Sequence, residues 1–201
     1  MNKKNKTKAI LVVSLVLLVS AMTAMADDTE IYTAFAVNMS GAGRSGATTF
    51  TMTITRWSTD EERTMLINTL MKKGHDEFIK ALRDQEETGF VRGHGAAAAA
   101  NPFPSTRLHY AFQSVQDGTR TITLVTNRPI GYREAASMSR SLDYDVTVVT
   151  MEFPVADGEK AKGKGSLHRA LKVAPNKKTG HLDVKEIGNE AVRLTTITRD
   201  K

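Results

Sequence analysis

The chain contains 0 Cys, so no disulfide can staple it and neither thiol chemistry nor a Cys-ligated metal is open to it. Proline is scarce at 5 of 201 residues and aromatics make up 6%, so stability must come from aliphatic packing and backbone hydrogen bonding. Long apolar runs are also missing, apart from one near the start. Lys3, Lys4, Lys6 and Lys8 lead into the apolar run Ala9 to Val19, and Ala24-Met25-Ala26 stands before Asp27. Basic start, apolar middle and small-residue site are the three parts of a secretory signal peptide, expected to span 1–26. The run falls well short of the roughly 20 residues of a spanning helix, so no stable membrane span is expected after cleavage.

Loss of that leader removes four lysines and no acids. The formal +6 of 28 Lys+Arg against 22 Asp+Glu thereby becomes +2. A nearly neutral mature chain, periplasmic or extracellular, gives no electrostatic footprint for nucleic acid. The remaining residues 27–201 are enough for one domain with a substantial core.

One stretch is helical in its spacing. Ser58-Thr59 followed by Glu61-Glu62 is a capping-box signature, and Leu66, Ile67, Leu70 and Met71 recur at three- and four-residue steps. Gly74 ends that helix, Asp76 is placed to cap a second, and Phe78, Ile79 and Leu82 share one side of it. A helical hairpin over 59–85 with one apolar seam is predicted, lying over one side of a sheet or plugging one end.

The rest alternates. Ile31–Asn38 and Thr48–Trp57 are strands, the second with Phe50, Met52 and Ile54 on one face and its threonines toward water. Gly89–Arg92 follows, then Arg107–Val115 with Leu108, Tyr110 and Phe112 on one face. Asp117-Gly118 turns the chain into Arg120–Thr126. Asp145–Phe153, Leu167–Val173, Leu182–Ile187 and Val192–Thr198 complete the series. The expected fold is mainly β, an antiparallel meander forming a barrel or sandwich, the barrel slightly favoured because closure hides strand edges. The helical hairpin is inserted after the second strand.

Candidate chemistry is sparse. Gly41-Ala42-Gly43-Arg44-Ser45-Gly46 matches G-x-G-x-x-G, but a threonine-rich strand follows where a phosphate-binding helix would be needed, and Ala47 stands where the phosphate-binding lysine belongs. His75, His94, His109, His168 and His181 lack metal-ligand spacing, and His109 and His168 are expected to be exposed. No G-x-S-x-G elbow is present. No cofactor, metal or catalytic residue is assigned.

The most distinctive passage is Asn127–Ala136, continuing to Arg140 and Asp143-Tyr144. Arg128, Tyr132, Arg133 and Arg140 could present forked donors and an aromatic ring to a carboxylate, a phosphate or an acidic partner. Equally, the arginines could pair with Glu134, Asp143 and Asp145 and hold the loop down. Trp57, at a strand-to-helix corner, is either a core anchor beneath the hairpin or a ligand-stacking ring.

Arg56–Arg63 and Thr126–Ala135, with Asp143-Tyr144, resemble recurring phrases of a group of exported bacterial proteins of unknown function. The resemblance covers most of the mature chain, implies export, and carries no activity or ligand with it. The polyalanine run 96–100 is unlike that group. The resulting expectation is a non-catalytic exported domain that binds a small ligand or an envelope partner. The alternative is a hydrolase-like enzyme whose site assembles only in three dimensions, and a structural envelope protein is a third option. An interior packed solid, with Phe35, Phe50, Tyr110 and Phe112 among its fillers, would remove the small-molecule reading.

Overall fold

The computed structural model describes residues 29–38, 46–94, 105–127, 146–175, 182–187 and 191–200. The expected leader, the glycine loop 41–45, the polyalanine run and His181 lie outside them.

Strands β1 (Glu30–Asn38) and β2 (Gly46–Ile54) precede helices α1 (Asp60–Lys73) and α2 (His75–Arg83). Then come β3 (Gly89–Gly93), β4 (Thr106–Leu108), β5 (Tyr110–Gln116), β6 (Thr119–Thr126) and β7 (Val146–Pro154). A 3-10 turn (Val155–Lys160) leads to β8 (Gly163–Pro175), β9 (Leu182–Ile187) and β10 (Val192–Arg199). The ten strands of the described residues join one sheet in the order β4-β3-β2-β1-β10-β8-β7-β6-β5, with β9 on β8. Every pairing is antiparallel.

The two ends of that order are consecutive pieces of one run, broken at His109. The sheet therefore curls into a nearly closed barrel. β9 and β10 pair with successive parts of β8, Leu171–Pro175 and Gly163–Leu167, so the ten strands fill eight places around the ring. At eight places a barrel is just wide enough for side chains to fill.

The break at His109 has a polar seal. His109 N–H reaches Val125 O at 3.1 Å, Thr88 N–H reaches Leu108 O at 2.9 Å, and Ser58 N–H reaches Ala111 O at 2.7 Å. The Ser58 hydroxyl accepts from Ala111 N–H at 3.1 Å. An irregular residue in a strand shifts the side-chain alternation by one. Leu108 and Ala111 consequently face the interior, while Tyr110 and Phe112 face outward toward the helices. The expected common face of Leu108, Tyr110 and Phe112 is thereby corrected.

Two apolar clusters result. Inside the barrel, Tyr32, Met52, Ile54, Leu108, Ile122, Leu124, Met151, Leu194 and Ile197 are each under 2% exposed. Outside it, Leu66, Leu70, Phe78, Ile79 and Leu82 of the hairpin meet Tyr110, Val125 and Val146. The hairpin covers a side of the barrel and does not plug its end. Phe35 is not an interior residue. Tyr32, Ala34 and Ala36 take the inward positions of β1, which leaves Phe35 outward and 44% exposed.

Local chemistry at the hairpin largely follows the sequence. Thr59 accepts from Glu62 N–H at 3.2 Å and Glu62 accepts from Thr59 N–H at 2.8 Å, a complete capping box. Arg56 clamps the same carboxylate through two nitrogens at 2.9 and 3.0 Å, and that hydrogen bonding holds Glu62 below the usual carboxylate range. Asp76 does not cap the second helix. Gly74 ends α1 through N–H to Leu70 O at 3.1 Å and also serves as the N-cap of α2, which therefore starts at His75.

Two glycines are required by geometry. Asp117 and Gly118, at φ 50° and 72°, form the two-residue turn with both φ positive that matches the twist of β5 and β6. Gly89 stands at φ 149°, where a Cβ would come 2.0 Å from the Thr53 carbonyl oxygen, so β3 can approach β2 only without a side chain.

Candidate functional site

The densest polar cluster among the described residues closes one end of the barrel. Alternation puts it there: the register that points Tyr32 inward also points Glu30 inward, and the one that buries Ile122 and Leu124 brings in Arg120. On β10 an irregularity between Leu194 and Ile197, with Thr196 at φ 51°, turns Ile197 and then Arg199 inward.

Glu30 is the centre. Arg120 reaches its two carboxylate oxygens at 2.9 and 3.1 Å, Arg199 stands 3.5 Å away, and the Tyr32 hydroxyl donates to it. Arg120 also donates through Nε to Gln113 at 2.8 Å, and its guanidinium lies 5.7 Å over the Trp57 ring. The Tyr32 ring leans on Phe153 at 5.4 Å. Burial, reinforced by the bond to Glu30, pushes the Tyr32 phenol far above its ordinary value. Trp57 thus anchors to the barrel interior under Arg120, while the hairpin seam lies elsewhere.

Chemically this is a clamp. The Glu30 carboxylate is engaged by Tyr32, Arg120 and Arg199, and a phenol so strongly held is neither nucleophile nor general base. The cluster ties β1, β10 and β6 together across one end of the barrel. Sequence reading passed over Glu30, Arg120 and Arg199. Their signal was a charge standing two residues from an inward apolar residue, in phase with it.

The predicted binding residues Arg128, Tyr132, Arg133 and Arg140 lie outside the described residues. The passage carrying them leaves after Asn127 and rejoins at Val146. Those are the strand ends opposite the turns at Gly118 and Pro154, so the passage is rooted at the other end of the barrel from Glu30.

Of the described histidines, His94 Nε2 meets Thr51 Oγ1 at 2.7 Å, and His109 Nδ1 meets Gln85 O at 3.3 Å. His168 Nε2 meets Ser166 Oγ at 3.0 Å. His109 and His168 are half-buried rather than exposed, because each sits where another element crosses its strand or packs over it. Burial lowers the His168 pKa, favouring the neutral ring. Among the described residues its Nδ1 is buried without a partner, so no third group there orients the Ser166–His168 pair as in a hydrolytic triad. No group of three possible metal ligands comes together among the described residues. A depression of about 570 Å³ runs along the outer face of α1, past Thr64, Met65 and Asn68.

No family model matches the chain, and no curated protein or solved structure shows significant similarity to it.

Proposed function

We propose that this chain is an exported, non-catalytic domain, periplasmic or secreted, that recognises an envelope partner from its outside. The observation that carries the reading is the filled barrel. Side chains exposed by less than 2% along its length leave no room beside them for a small molecule. Among the described residues, the charged cluster within is consumed by its own ion pairs. Recognition then falls to surfaces and loops held by a rigid wall.

The distribution of polarity supports a water-borne barrel. Apolar residues line the inside and threonines stud β2 outside, the reverse of a barrel whose outer band faces lipid. Among the described residues no helix is long and apolar enough to cross a membrane.

The arginine passage between Asn127 and Val146 is the first to test. Tagged mature protein is incubated with envelope extract beside an Arg128→Ala/Arg133→Ala variant. A species retained by the wild type and lost by the variant is expected. Equal recovery by both would remove the loop from the reading, and no specific retention by either would remove partner binding itself.

A further inference from the structure

β1 is the seam of the barrel. It pairs with β2 on one side and with β10 on the other, from Tyr32↔Arg199 to Val37↔Arg193 with one shift of register between Thr33 and Phe35. The ring cannot close until β10 has arrived. Its first residue, Glu30, is already fully engaged: its backbone pairs with Ile54 and its carboxylate holds Tyr32, Arg120 and Arg199. Between Glu30 and the expected cut after Ala26 stand only Asp27, Asp28 and Thr29.

We infer that removal of the leader precedes closure of the barrel, because the closed end and the membrane protease that cuts leaders compete for the same few residues. The inference rests on the exported reading above. Four residue steps span at most about 14 Å even when fully extended. A folded domain of 175 residues has a radius of gyration of about 16 Å, and the protease must grip the chain on both sides of the cut. With the leader's apolar run still in the bilayer, a closed barrel would stand directly on the cleavage site. The open seam supplies the interval: β1 must wait for β10 in any case, and cutting takes place during that wait.

The experiment uses the full-length precursor with detergent-solubilised leader peptidase. One sample meets the enzyme directly on dilution from urea. The other is first allowed to reach native emission from Trp57, the only tryptophan, packed on the interior cluster beneath Arg120. Cleavage of a closed form tracks the fraction that opens, so the closed precursor is expected to be cut more than about tenfold more slowly. Insertion of about twelve Gly/Ser residues between Asp28 and Thr29 adds about 19 Å of flexible reach. The closed form of that variant is expected to be cut as fast as its unfolded form. A precursor that gains native Trp57 emission only after cutting would establish the same order. Equal rates for closed and unfolded precursor without the insert would overturn the inference. Failure to cut even the unfolded precursor would instead refute the leader, and with it the exported reading.

Discussion

The two halves of the barrel wall bury different amounts of themselves. Around β10, β1, β2 and β3 the inner face is apolar and the outer face is mixed, with Thr33 opposite Thr51 and Thr198, and Phe35 opposite Thr49 and Thr195. Around β5 to β7 both faces are apolar: Ile122, Leu124, Val149 and Met151 point in, while Tyr110, Val125 and Val146 point out beneath the hairpin. The difference is written in the strands. A wall buried on one side alternates, and a wall buried on both runs nearly continuous in apolar residues. Thr-Phe-Thr-Met-Thr-Ile in β2 and Val-Thr-Val-Val-Thr-Met in β7 are the two cases side by side.

The largest effect should separate the halves by mutation. Leu82 is fully buried in the seam between hairpin and wall, so Leu82→Ala is expected to cost about 2–5 kcal/mol, through lost burial and the cavity left behind. Phe35→Ser, on the bare half, should change stability by less than about 0.5 kcal/mol, since its ring is already 44% exposed. Urea midpoints with unchanged slopes measure both. Similar costs at the two positions would mean that something covers the bare face in solution.

An intermediate effect is expected where the halves are tied together. Arg120 belongs to β6 and Glu30 to β1, one strand from each half. Arg120→Ala strands a carboxylate that is 11% exposed, although Arg199 remains at 3.5 Å to shield part of its charge. A loss of about 1–3 kcal/mol follows from leaving that group poorly paired. The loss should shrink in a Glu30→Gln background, because the charge that needed the arginine is gone. Trp57 emission should shift in Arg120→Ala, as the cation leaves its ring. An undiminished loss in the double variant would show that Arg120 acts by packing alone.

What the sequence made legible is local and periodic. Strand positions, the capping box at Thr59 and Glu62, the Asp117-Gly118 turn and the inserted hairpin each rest on a few neighbouring residues. What it concealed depends on closure. Nothing between Arg107 and Val115 advertises the break at His109, because no glycine or proline marks it, and its partners Ser58, Thr88 and Val125 come from distant parts of the chain. The break reverses the facing of Tyr110 and Phe112, so the face expected from uninterrupted alternation holds for Leu108 and fails for those two rings. Glu30, Arg120 and Arg199 are far apart in the chain, and only the ring brings both arginines within 3.5 Å of the Glu30 carboxylate. Phe35 misled for a simpler reason. In β1 the larger aromatic-aliphatic set, Ile31, Phe35 and Val37, faces out, and the smaller alanines face a crowded interior.

The smallest effect comes from His168, on the outer face of β8, the strand that borders both halves. Burial lowers its pKa below the ordinary 6.5, so the folded protein prefers the neutral ring. Above 6.5 neither state binds the proton and the group has no influence on stability. As pH falls below 6.5 the unfolded chain takes up a proton that the folded one resists, and stability declines until the folded pKa is reached. The carboxylates are excluded by staying above the ordinary 4.5 of Glu62, whose lowered pKa adds its own loss only in more acidic solution. Urea midpoints between pH 7.5 and about 5 should therefore fall for the wild type and fall less for His168→Gln, which keeps a polar group facing Ser166 and cannot titrate. Parallel declines would place the titrating group elsewhere. A steeper decline in the variant would show that His168 is stabilised by its proton, and that the wall it lies on is open to water rather than covered.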